Sequence, residues 1–448
     1  MRNRLFSLLT LVPLLISFQI GCDALKGGSD KAKKDETEES DDKDDKKDKK
    51  KKKGDGDDAG SATAAASGTG APTAAAGGAD APPLVDGPAP DKKKLSAFLK
   101  DEKAKLTADV FENALMTLAD CRLETHGIDY QCDAYKDYQK AIGHPADLDD
   151  YKKRAEAAQK WIRHKTPTVR YEAIRKAYSG FGSGEGALAP ILVACKAETE
   201  PQVVVSCLDS IGHSAKDKPE VKDFVFASLD HTDDRVRDRA AQVLGSRLNQ
   251  PIPGSYEKLA DKVENDSTKK VKASACRALS APEDARALEV FTKQLESKKT
   301  DDEVRTACFD GLIRLWAGYS YPKKPNKDAY ELTLKILEKT PRTEKSPPSS
   351  LGELGSAKTE FKDFERTAKD WYKDAKEFYK KERLVKALED IALDSDANSG
   401  ARSSSLYTLK SIGAKANLGT IATKLKSKTD SNSKYLSETA ARLSKEKD

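Results

Sequence analysis

Seven cysteines and five histidines are the residues of this 448-residue chain best suited to carry chemistry. Cys121 and Cys132 flank the polar turn LETHGIDYQ, with His126 between them. They form the candidate disulfide. A zinc set of Cys121, His126 and Cys132 is the alternative, and it would need a fourth ligand and a closed geometry. Cys195, Cys207, Cys276 and Cys308 lie on apolar faces of helix-like segments, where a small buried hydrophobe is the default reading and disulfides come second. His126, His144, His164, His213 and His231 show no spacing that presents two ligands on one helix face. No G-x-S-x-G elbow, phosphate loop or zinc-protease motif occurs. The Gly-rich stretch at 178–188 lacks a following Lys-Ser or Lys-Thr and reads as turn geometry. The chain is therefore expected to be no enzyme and to hold no metal or cofactor.

The seventh cysteine belongs to the N-terminus. Arg2 and Arg4 precede an apolar run from Leu5 to Ile20, which ends at Gly21-Cys22. A positive start, a short apolar segment and a small residue before a cut site describe an export signal. The run is short for a membrane span of about 20 residues. A Cys directly after Gly resembles the lipobox of bacterial lipoproteins, although Gln19 stands where that family usually has Leu. The resemblance implies a signal peptide over 1–21 and an acyl chain such as palmitate on Cys22. Asp23 is similar to the inner-membrane retention signal of enterobacterial lipoproteins.

Residues 22–94 read as a tether. From Asp30 to Asp58 there are 11 Lys and 13 acids in 29 positions, too little apolar surface to offset ordering entropy. Ala/Gly/Ser/Pro-rich sequence follows to about Pro90. As a coil, 72 residues span roughly 45–50 Å. Lys46 to Lys53 holds seven Lys in eight positions, but the acids upstream nearly cancel it. Over the whole chain 79 Lys and Arg face 74 Asp and Glu, so a strongly basic nucleic-acid footprint is absent and no nucleic acid is expected as a partner.

Residues 95–164 show apolar positions at steps of three and four, from Leu95, Phe98 and Leu99 to Tyr135, Tyr138 and Ile142. They suit a helical cap. A pattern then recurs: a β-branched residue, usually followed by Arg or Lys, with Ala or Cys four positions on. Val169, Val203, Val236, Val271 and Val304 stand at steps of 34, 33, 35 and 33 residues, and Ala401 lies 97 beyond, close to three further steps. A fixed period of this size means stacked helix pairs, an all-α architecture. Small residues at the Ala/Cys position let neighbouring A helices approach closely. Turns such as His231-Thr232-Asp233-Asp234 supply N-cap oxygens. Repeats are expected over 165–315 and again, with a closing cap, over 381–448.

The segments VRDRAAQVLG and ARSSSLYTLKSIG resemble the short HEAT-type repeat, in particular its phycobiliprotein-lyase-like variety. Tetratricopeptide and ankyrin signatures are missing. The resemblance covers about residues 165–445 and implies a right-handed α-solenoid of HEAT-like helix pairs, whose B helices line a concave surface for other macromolecules. In such repeats, positions like Arg170, Arg237, Lys272 and Arg305 support a ladder of polar contacts between units. A lipoprotein signal argues against lyase activity on a cytosolic pigment.

Residues 316–380 interrupt the register and hold ten of the chain's 29 aromatics. A helix is expected over 359–381, with Phe361, Phe364, Ala368, Trp371, Ala375 and Phe378 as one stripe. The stripe is read as packing on the repeats. Outward Tyr319, Tyr321, Tyr372 and Tyr379 are the candidate partner-binding residues, since aromatics give large contact area at low entropic cost. The expectation is a scaffold or adaptor lipoprotein facing the periplasm, bound to the membrane through its lipid and holding an envelope protein or peptide. The rivals are an enzyme subunit with a site in the insert or cap, and a periplasmic ligand-binding protein.

Overall fold

The structure is a computed structural model that describes residues 82–178, 185–246, 251–317, 325–342, 347–356, 375 and 377–446. Cys22, the signal segment, most of the tether, Tyr319, Tyr321, Tyr372 and most of the expected helix over 359–381 lie outside these residues. The described chain is all-α apart from one two-residue hairpin, β1 (Leu123–Glu124) with β2 (Gly127–Ile128).

Four helices come first: α1 (Lys92–Lys100), α2 (Ala108–Thr117), α3 (Asp133–Ile142) and α4 (Leu148–Gln159). Asp91 and Thr107 cap α1 and α2, and Asp147 with Asp150 forms a full capping box on α4. These devices satisfy N–H groups that no helical carbonyl can reach. Residues 82–91, inside the span assigned to the tether, run extended against the turn after α4. The Val85 N–H donates to the Arg163 carbonyl at 2.9 Å, and the Lys165 N–H returns to the Val85 carbonyl at 2.8 Å. A Cβ on Gly87 would sit 2.5 Å from Met116 Sδ, so only glycine lets this strap lie flat.

The remaining helices alternate. The A helices are α5 (Pro167–Ala177), α7 (Pro201–Ile211), α9 (Asp234–Leu244), α11 (Lys269–Ala278), α13 (Asp302–Ala317), α15 (Gly352–Ser356), α17 (Ser399–Ser411) and α19 (Ser431–Lys445). The B helices are α6 (Leu188–Lys196), α8 (Pro219–Ser228), α10 (Ser255–Asn265), α12 (Ala287–Glu296), α14 (Lys327–Glu338), α16 (Lys381–Leu393) and α18 (Lys415–Lys426). Each A helix packs on the one before and the one after it, and from α10 onward the B helices do the same.

The repeated sequence positions explain this row. Val169, Val203, Val236 and Val271 are fully buried, Val304 is nearly so, and the residues four later (Ala173, Cys207, Ala240, Ala275, Cys308) are all at 0% exposure. Ala401 and Ser405 repeat the pair in α17. Glycines bring the units closer still: a Cβ on Gly245 would lie 2.8 Å from Ala278 Cβ, and one on Gly311 the same distance from the Cys276 carbonyl. Asp233, Asn398 and Asp430 cap their A helices as the turn sequences predict. At α5 and α7 Pro at the first position takes over that role, having no N–H to orphan.

Among the described residues, one A helix stands between Val304 and Ala401: α15 packs on both α13 and α17. That unit is shortened in its A helix, seated by buried Leu351 and Leu354, and lengthened between α15 and α16. α13 runs to Ala317, and α14 packs on it as its B partner.

Candidate interaction surface

The motif cations occupy the joints between units. Arg170 Nη1 donates to the carbonyls of His164 and Lys165 at 2.7 and 2.9 Å, in the turn before α5. Its Nε and Nη2 grip Glu198, just beyond α6, at 2.7 and 2.9 Å. Arg237 repeats the arrangement with the carbonyls of His231 and Thr232 and with Asp266 beyond α10. One guanidinium thus satisfies orphan carbonyls behind it and a carboxylate ahead, using the fixed fork that Lys lacks. Burial alone would raise the Asp266 carboxyl, but Arg237 and the Thr268 N–H outweigh it and hold the group below the usual carboxylate range.

The ladder is uneven. Lys272 reaches back to the Glu264 carbonyl at 2.9 Å. Arg402 spans from the Ala392 carbonyl to Ser433 Oγ. Arg305 departs from the pattern: it is 2% exposed and its Nε has no hydrogen-bond partner. The turn after α14 reads Lys339-Thr340-Pro341, so no acid stands where Glu198 and Asp266 stand. Burial pulls the Arg305 pKa down, with Asp302 only partly offsetting it. Arg342 resumes the ladder, donating to the Leu337 carbonyl and to Asp394, each at 3.0 Å.

A second ladder crosses the exposed B helices. Lys262 pairs with Asp230 at 2.7 Å, Lys293 with Glu264 at 2.7 Å and Lys335 with Glu296 at 2.9 Å. Arg383 closes the series on Glu338 and Glu331 at 2.8 and 2.9 Å, and these carboxylates raise its pKa further. Exposed pairs are worth about 0–1 kcal/mol each. Their effect is to consume the charge of this face and set the spacing of the helices. Between α12, α14 and α16 the face opens into a groove of about 680 Å³. Leu332 and Ile336 give it an apolar lining, the ion pairs rim it, and Lys339 with Thr340 stands at the end of α14.

Beside this groove the aromatic residues turn inward. Trp316 and Tyr330 meet edge to face at 4.9 Å, and Phe378 and Tyr379 lie 5.4 and 5.7 Å from Tyr330. The Trp316 indole donates to Thr333 Oγ1 at 2.9 Å, and Tyr330 Oη donates to the Lys380 carbonyl at 3.1 Å. Tyr379, expected outward, is half-buried in this cluster. Stacking against Trp316 and Tyr330 removes more of its ring from water than an outward pose could. Tyr319, Tyr321 and Tyr372 are outside the described residues. Ala375 and Phe378 of the expected stripe are buried.

All six described cysteines are bonded: Cys121 to Cys132, Cys195 to Cys207 and Cys276 to Cys308, with Cα separations of 5.7, 5.8 and 4.9 Å. The default reading of the last four as buried thiols is thereby corrected. Their helices meet closely enough for the sulfurs to join, which the apolar pattern around each cysteine could not show. Sulfur tied in a disulfide offers no thiolate, so the Cys121–His126–Cys132 zinc set falls away. Among the described residues no group of His, Cys, Asp and Glu could hold a metal.

Sequence reasoning missed Glu172. It is 1% exposed on α5, accepts the Tyr138 hydroxyl at 3.0 Å, and pairs with Arg175 at 3.0 Å. Burial, then the Glu172 charge, pushes the Tyr138 hydroxyl well above its usual range, so it stays a donor. The joint ties α3 to the first repeat helix. Its only sequence signal is an acid within an apolar stripe. No protein-family model matches the chain, and no curated protein matches it.

Proposed function

We propose that this protein is a lipid-anchored scaffold of the bacterial cell envelope. It is built as a right-handed solenoid of HEAT-like helix pairs behind an N-terminal helical cap, and it holds a protein or peptide partner against its B-helix face. The single observation that carries the reading is the row of A helices, each packed on the one before and the one after, which the B helices join from α10 onward. Such a row offers extended surface and little enclosed space, which suits gripping a partner. The groove between α12, α14 and α16 supports this, since it joins an apolar lining to a charged rim. The export-signal pattern ending at Cys22 and the charged tether support attachment to a membrane, with the repeats held clear of it.

In-cell crosslinking with mass spectrometry of the membrane fraction tests the scaffold reading. A reproducible protein neighbour, lost when Leu332→Asp is introduced, is the expected result. No reproducible neighbour would overturn it. Palmitate labelling tests the anchor separately: labelling that survives Cys22→Ser excludes Cys22 as the acceptor.

A further inference from the structure

The six described cysteines pair strictly in sequence order, first with second, third with fourth, fifth with sixth. The sequence separations are 11, 12 and 32 residues, so the three loops are disjoint. The gap from Cys132 to Cys195 is 63 residues and that from Cys207 to Cys276 is 69. Loop closure then favours each observed pair over the neighbouring cross-pair by roughly 3- to 14-fold, from the power-law dependence on loop length. Two of the pairs are also shut away after folding. Cys207, Cys276 and Cys308 are at 0% exposure and Cys195 at 2%, whereas Cys121 is at 7% and Cys132 is half-buried beside a surface pocket. An external oxidant needs a line of approach to a sulfur, and at the Cys195–Cys207 and Cys276–Cys308 pairs the packed helices leave none.

We infer that this chain is a substrate of a dithiol-oxidising thiol–disulfide oxidoreductase, which acts on the Cys195–Cys207 and Cys276–Cys308 pairs before their helices pack, and that it requires no disulfide isomerase. In each reaction a cysteine thiolate attacks one sulfur of the oxidant's disulfide and displaces the other as a thiolate. The second cysteine thiolate then attacks the chain's own sulfur in that mixed disulfide. One S–S bond forms in the chain, the oxidant's S–S bond breaks, and the oxidant leaves as a dithiol carrying both electrons and the two protons lost by the chain's thiols. The inference leans on the export reading only for the presence of such an oxidant.

The test uses the full chain carrying Cys22→Ser, so that only these six thiols remain. The reduced, unfolded chain is reoxidised with oxidised glutathione, with or without a purified disulfide isomerase, and the pairs are mapped by mass spectrometry. Six thiols allow about 15 pairings. The expected result is one dominant product with the three sequential pairs, unchanged by the isomerase. A product dominated by cross-loop pairs such as Cys132–Cys195, or sequential pairs that appear only with the isomerase, would overturn the inference. A Cys276→Ser, Cys308→Ser variant should form the other two pairs in unchanged proportion even if its fold is weakened; their loss would refute independent closure. Alkylation of the protein from its native cells should label none of the six without reductant. If all six label while palmitate labelling depends on Cys22, the oxidation inference fails and the anchor reading stands.

Discussion

Removing Arg237 tests whether the buried rungs hold the units together. Arg237→Met deletes five hydrogen bonds: two to Asp266, one to Thr268, and two to the carbonyls of His231 and Thr232. The Asp266 side chain is only 3% exposed, so the mutation strands a buried carboxylate with the Thr268 N–H as its remaining donor. Breaking such a pair from one side costs about 3–5 kcal/mol, most of it the penalty of the abandoned charge. Asp266→Leu should cost less, because Arg237 keeps its two carbonyls and is more exposed. The double variant Arg237→Met, Asp266→Leu leaves no buried charge and should lose only about 1–2 kcal/mol. The cycle therefore predicts a coupling energy of about 2 kcal/mol or more. Urea unfolding followed by far-UV circular dichroism measures it, with a broadened transition expected if the stack splits at this joint. Additivity within about 0.5 kcal/mol would refute the reasoning, since it would mean the rung carries no shared energy.

The acid limb of stability should track the same rung. The folded-state pKa values of Asp266 and Asp394 lie below the ordinary carboxylate range, so their contribution is present above that range and lost as pH falls through the folded values. Asp266→Asn should flatten the stability profile below about pH 4, and an unchanged profile would contradict the assignment. Gly311→Ala should destabilise by about 1–3 kcal/mol, because contact with the Cys276 carbonyl outweighs the roughly 1 kcal/mol gained in helix propensity; a stabilised variant in thermal melts would count against the close approach. Replacing both Cys276 and Cys308 by Ala should cost about 3.7 kcal/mol on the chain-entropy account of a loop with separation 32, read from the urea midpoint in the absence of reductant. Tyr321→Ala with Tyr372→Ala should weaken partner capture and leave the melting temperature nearly unchanged; unaltered capture would retire those tyrosines as partner residues.

The helix row was legible in the sequence because its cause is periodic. Val169 and its equivalents must be buried every 33–35 residues, and the small residue four later must let helices close up. The short α15 was not legible: five residues leave no periodic signal, and α15 is seated by Leu351, Leu354 and by contacts of Ser349 and Glu353 with α13. The polar ladder was visible as recurring cations, yet its acids (Glu198, Asp266, Asp394) lie in turns whose composition looks merely soluble. The inward pose of Tyr379 escaped because its partners, Trp316 and Tyr330, lie about 50 or more residues away. The cysteine pairs hidden in apolar faces escaped for the same reason, since period alone does not say which faces touch.

The central claim, a tethered scaffold that grips a partner on its B-helix face, is most directly tested by photocrosslinking in intact cells. A photoreactive residue replaces Lys339, at the end of the groove, or Tyr130, which is 70% exposed in the turn before α3. The account predicts one reproducible protein adduct in the membrane fraction from position 339 and none from position 130. Equal labelling from both positions, or no adduct from either, would contradict it.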